Sequence, residues 1–119
     1  TPREAVVDRS VLREVAGDNE ALEAEILAQF RGAFAQDMAL VEAAFDARQL
    51  DRLVQAAHRV KGAARSIGAL ALGEACQRLE DARRAAQDWM ALETLRAEFR
   101  RECGRLGEYL ERHAAHSGA

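Results

Sequence analysis

His58, Lys61, Gly62 and Arg65 stand at i, i+3, i+4 and i+7. On a helix that spacing puts an imidazole, an ammonium, a guanidinium and a position without a side chain side by side on one face, pointing outward. An imidazole with its ordinary pKa near 6.5 is largely neutral at physiological pH and keeps a nitrogen lone pair. Ammonium and guanidinium groups beside it match the oxygens of a phosphate. No serine or cysteine nucleophile with its own base is in evidence, so His58 itself reads as the nucleophile. A neutral imidazole attacking phosphorus beside two cations is a workable phosphoryl acceptor. The bland alternative is a half-exposed histidine on a solvated basic face. Gly62 argues against it. A glycine inside a helix costs about 1 kcal/mol relative to alanine, and core packing has no use for one this far from the apolar stripe. Close approach of another molecule to the imidazole would explain it.

The elements that hold this face follow from apolar periodicity. Leu53, Ala57, Val60, Ala64 and Ile67 recur at three- and four-residue intervals, which predicts a helix over about 50–66, ended by Gly68 in the left-handed conformation. Upstream, residues 1–7 read as a leader. Asp8 can cap a short helix carrying Val11, Leu12 and Val15, with Gly17 as its stop. Those three apolar residues read as core cover, and a docking surface is the alternative. Asp18 or Asn19 then caps a long helix to about Ala47, marked by Leu22, Ile26, Phe30, Phe34, Met38, Val41 and Phe45. Gly32 interrupts it and suggests close packing there. Asp46 to Asp51 is a short connection. Beyond Gly68, a helix over about 70–86 presents Leu72, Ala75, Cys76, Leu79 and Ala82. Gln87-Asp88 breaks the chain, with Trp89 stapling the start of a last helix over about 89–114. That helix carries Leu92, Leu95, Phe99, Cys103, Leu106 and Leu110. Residues 115–119 read as a flexible tail, with fraying expected from His113 onward. Short connections favour antiparallel neighbours. The expected fold is all-α: an antiparallel up-down-up-down four-helix bundle with an additional short N-terminal helix, as one domain over residues 1–119.

Composition agrees with this and narrows the function. Of 119 residues, 49% are hydrophobic but only 5% aromatic, and there is one proline, as in helical proteins rich in alanine and leucine. A net charge of −3 argues against a general nucleic-acid binder. No apolar run approaches the roughly 20 residues a bilayer requires. Cys76 and Cys103 lack metal-type spacing, fall on apolar stripes and read as buried thiols in a reducing compartment. His113 and His116 could contribute to a metal site only with a further partner, and no metal site is expected. Arg83-Arg84 and Arg100-Arg101 read as solvated faces.

The run His58-Arg59-Val60-Lys61-Gly62-Ala63-Ala64, followed by Ile67-Gly68-Ala69, Leu72, Cys76 and Leu79-Glu80, resembles the histidine-containing phosphotransfer (HPt) domain. The family pattern is His-x-hydrophobic-Lys-Gly-small-small, then an aliphatic-Gly pair. The resemblance covers nearly the whole chain. It implies that His58 accepts a phosphoryl group from a receiver-domain aspartate and passes it to a response-regulator receiver. Lys61 would steady the phosphoryl group and Gly62 would make room for the receiver. Glu80 stands where some relatives have a glutamine, and orienting the imidazole N–H is the role expected of it. Arg65, Gln77 and Arg84 would border the docking surface. No cofactor of its own is implied, because Mg²⁺ would sit in the acidic pocket of the partner receiver. The expected partners are receiver domains, with no nucleic acid and no direct membrane contact. The isolated domain is expected to be a cytoplasmic monomer that is not an enzyme by itself. A start at Thr1 rather than methionine suits a C-terminal module of a hybrid sensor kinase whose parent chain sits at an inner membrane, although processing could give the same start. The alternatives are the phospho-accepting domain of a chemotaxis-type kinase and a helical interaction module that is never phosphorylated.

Overall fold

The computed structural model describes residues 6–85 and 88–115, except for the side chains of 83–85. Among them every regular element is an α-helix: α1 (Arg9–Ala16), α2 (Glu20–Asp46), α3 (Leu50–Ser66), α4 (Leu70–Ala85) and α5 (Trp89–His113). Three starts are capped by the side chains that such positions favour. The Asp8 carboxylate accepts from the Ser10 N–H, the Asn19 amide oxygen from the Leu22 N–H, and Asp88 from the Met90 and Ala91 N–H groups. Gly17 (φ 65°) and Gly68 (φ 85°) both adopt the left-handed backbone expected of them.

Helix α2 packs on α3, α3 on α4, α4 on α5, and α5 returns to α2, while α1 lies against α2. The α3 stripe forms the middle of the core: Leu53, Ala57, Val60, Ala64 and Ile67 are all buried, against Leu72, Ala75, Cys76 and Leu79 of α4. Phe30, Phe34, Val41 and Phe45 enter from α2, and Leu92, Phe99, Cys103, Leu106 and Leu110 from α5. Cys76 and Cys103 are free thiols inside this core. Burial pushes Cys76 up to about 12, with the Glu80 charge adding to the effect. Trp89 packs edge-on against Phe45, ring centroids 6.1 Å apart, so it does fasten the start of α5.

Several expectations need correction. Val7 is buried, and the Asp8 N–H donates to the Gly68 carbonyl oxygen at 2.8 Å, so the end of the supposed leader belongs to the core. Of the α1 stripe, Leu12 is buried but Val15 is exposed. Gly32 is not at a tight contact: a Cβ there would meet nothing within 4 Å. Leu22 is exposed and Glu23 buried, because the opening turn of α2 faces α1 and Glu23 pairs with Arg9 at 3.1 Å. At the other end, the Ala115 N–H donates to the Ala24 carbonyl oxygen at 3.0 Å, so the chain is docked, not frayed, through that residue. Residues 116–119, and with them His116, lie outside the described residues. Arg100 is not merely solvated: its Nε and Nη2 grip the two Glu42 oxygens at 2.9 and 2.6 Å. Arg96 joins the same carboxylate and reaches Asp46, with its guanidinium 4.8 Å from the centre of the Phe45 ring. This network ties α2 to α5. The side chains of Arg83 and Arg84 lie outside the described ones. No described helix is long and apolar enough to cross a membrane.

Candidate functional site

One ladder of contacts between α3 and α4 builds the site. His58 meets Glu80, Lys61 meets Glu80 and Gln77, and the Arg65 stem lies beside Gly73. Residue numbers rise along α3 as they fall along α4, one helical turn per rung. The three-residue link through Gly68 makes this pairing possible. Its positive φ turns the chain back at once, and the Asp8 backbone packs so closely that a Cβ at Gly68 would collide with it.

Helix α3 places His58 outside its buried stripe, and 69% of the side chain is exposed. Nδ1 lies 2.8 Å from Glu80 Oε1. An ionised carboxylate can only accept, so Nδ1 carries the proton and donates it. Nε2 is then the nitrogen with a free lone pair. The Glu80 carboxylate is only 15% exposed, and its Oε2 is buried with the Lys61 ammonium 2.5 Å away as charge partner. Burial alone would push this carboxyl up. Hydrogen bonds and charge from Lys61 and His58 outweigh that and hold it below its ordinary value, so it stays ionised at neutral pH. Lys61 differs from the sequence expectation. Its side chain is 13% exposed, held down between helices rather than standing free on an outward face. It also donates to Gln77 Oε1 at 3.1 Å, while the Gln77 amide donates to Asp81 at 2.9 Å.

Gly62 is exposed, and a Cβ built on it would meet nothing within 4 Å. No internal contact therefore requires a glycine, and what it leaves bare is the α3 surface beside the imidazole. Arg65 is also exposed. The structure thus brings together His58, Lys61, Gln77 and Glu80, sets Gly62 and Arg65 beside them, and leaves the Arg84 side chain undescribed. Sequence reasoning missed Asp81, which anchors Gln77, and Gly73, which faces Arg65. A glycine inside a helix was the available signal for Gly73. Among the described residues, no three His, Cys, Asp or Glu side chains are grouped to hold a metal ion. His113 instead lies tilted against Tyr109, ring centroids 4.3 Å apart.

An exposed imidazole with its proton fixed inward, a restrained ammonium below it and a bare patch of α3 beside it thus lie together on one surface. Compared with curated proteins and with solved structures, the chain gives no match at the significance required. A family model described as the Hpt domain matches residues 25–116, which contain α3, α4 and every residue of this surface, and the chain belongs to that family.

Proposed function

We propose that this Hpt domain is a phosphocarrier in a multistep His–Asp phosphorelay, loaded and unloaded at Nε2 of His58. The observation that carries the reading is the His58–Glu80 contact, which reserves Nδ1 and frees Nε2 on the solvent side. In the forward step, Nε2 attacks the phosphorus of a receiver aspartyl phosphate. The N–P bond forms, the P–O bond breaks, and the aspartate leaves as a carboxylate. The ring becomes a phosphoimidazolium whose proton stays on Nδ1, hydrogen-bonded to the Glu80 carboxylate, so the positive charge meets a negative one and no proton need move. In the return step a second receiver's aspartate attacks phosphorus and the neutral ring is recovered.

Lys61 would share its charge between Glu80 and the phosphoryl oxygens, and Gln77 would hold its ammonium in place. Gly62 would admit the receiver. Arg65, Gln77 and Arg84 would border the docking surface. Mg²⁺ would belong to the receiver. The α3–α4 ladder supports an antiparallel up-down-up-down order, as does the α2–α5 seam, where Arg96 meets Asp46 near one end and Ala115 meets Ala24 near the other. We place the domain in the cytoplasm, as a monomer within a hybrid sensor kinase. The test is transfer from a phosphorylated receiver: the parent chain takes up acid-labile phosphate and His58→Gln takes up none. Uptake by His58→Gln would sink the assignment.

One observation also fits a second reading. A carboxylate that holds Nδ1–H leaves Nε2 as the nucleophile whatever the phosphoryl donor, which would serve attack on a nucleoside triphosphate at the catalytic domain of a chemotaxis-type kinase. Comparing uptake from a receiver with uptake from an ATP-loaded kinase domain separates the two.

A further inference from the structure

The α3–α4 ladder has three rungs, and the third differs from the others. His58 and Lys61 each meet an acceptor on α4, Glu80 and Gln77. One turn further, Arg65 meets Gly73. A Cβ on Gly73 would stand 3.1 Å from Arg65 Cγ, 3.4 Å from Nε and 3.8 Å from Cδ, so the arginine stem lies along the bare backbone of α4. Gly73 is buried under it, whereas Arg65 is exposed. No ion pair or side-chain hydrogen bond of Arg65 occurs among the described residues, although Arg9, Arg78, Arg96 and Arg100 all hold carboxylates. Glycine is the poorest helix former after proline, and α4 carries it where the three nearest atoms that a Cβ would meet all belong to Arg65.

We propose that Gly73 seats Arg65 as a docking cation that reads a carboxylate on the surface of the partner receiver. This rests on the phosphocarrier reading above. Arg65 lies two turns, about 10 Å, along α3 from His58, so it addresses a group on the partner other than the phosphoryl group being transferred. A guanidinium whose stem is already laid down loses less freedom on binding than a free one. Gly73 is a positioning residue acting through Arg65, and the pair sets partner choice and affinity.

The experiment is a double-mutant cycle on phosphotransfer. The receiver is the one, from a panel of purified receiver domains, that loads the parent chain fastest, and labelling by phosphoramidate without any receiver is the reference. Gly73→Ala forces the Arg65 stem aside by a few tenths of an ångström while improving helix propensity, so melting holds or rises. The expected result is a rise of about three- to tenfold in KM for the receiver, relative to the phosphoramidate reference, in both Gly73→Ala and Arg65→Ala. The salt dependence of KM should flatten in both. The double variant should be no worse than Arg65→Ala alone, because the glycine acts only through the arginine. A wild-type KM in Gly73→Ala overturns the proposal, as do fully additive effects. Phosphoramidate labelling of the parent chain with no uptake from any receiver would instead overturn the phosphocarrier reading beneath it.

Discussion

Replacing Glu80 with glutamine changes one charge and almost no volume, and it touches both contacts that Glu80 makes on α3, to His58 and to Lys61. Hydrogen bonds to charged groups contribute about 1.5–3 kcal/mol and neutral ones about 0.5–1.5. The loss on the His58 side would be somewhat over 1 kcal/mol, but that side chain is 69% exposed and water screens part of it, leaving about 1 kcal/mol. That corresponds to transfer about fivefold slower. On the other side, the Lys61 ammonium keeps Gln77 Oε1 at 3.1 Å but loses its carboxylate while only 13% exposed. The cost should fall between an exposed pair and a fully buried one, about 1–2 kcal/mol, or a melting point lower by about 4–8 °C. The assay is single-turnover transfer from a phosphorylated receiver, paired with ¹⁵N spectra of the imidazole. The parent chain should show the Nδ1–H tautomer, and the variant a mixture, because an amide can offer either its oxygen or its NH₂ group. Transfer at the parental rate with an unchanged tautomer would refute the idea that Glu80 prepares Nε2.

Gly62→Gln should raise the melting point by about 3–5 °C, since helix propensity improves and the Cβ meets nothing, while receiver-dependent transfer falls at least tenfold; parental transfer rates would remove the close-approach argument. Gly68→Ala should cost about 2–4 kcal/mol in urea unfolding, because an L side chain is strained at φ 85° and its Cβ runs into the Asp8 backbone. Glu42 is held below its ordinary 4.5 by its hydrogen bonds to Arg100, against the opposing effect of burial, and then by Arg96. A depressed folded pKa means that its contribution is complete above about 4.5 and is lost as pH falls through the lower folded value. Unfolding curves at pH 7 and pH 3 should therefore differ less in Glu42→Gln than in the parent chain.

Local spacing made much of this protein legible. The α3 stripe, the caps at Asp8 and Asn19, and the turns at Gly17 and Gly68 depend on neighbours within a few residues, and the structure has them where the sequence puts them. Contacts between helices were harder. Nothing near Glu42 announces that Arg96 and Arg100 will hold it from more than fifty positions away. Glu23 breaks its own apolar stripe and is buried because α1 brings Arg9 to it. Gly32 and Gly62 look alike in sequence, and both face open space; only the neighbouring imidazole gives the second one a use. Lys61 read as an outward cation because the helical wheel of α3 contains no α4.

The ladder also bears on the order in which the molecule assembles. His58 and Glu80 are 22 residues apart, and Lys61 and Gln77 only 16, whereas Arg100 and Glu42 span 58. Closing the larger loop costs about 0.9 kcal/mol more in chain entropy than closing the 22-residue one. Short-range contacts of this kind form early in folding. The α3–α4 hairpin can therefore set the imidazole, its carboxylate and its lysine in register before α5 closes on α2. Substitutions in the hairpin should slow folding, and substitutions in the α2–α5 seam should mainly hasten unfolding.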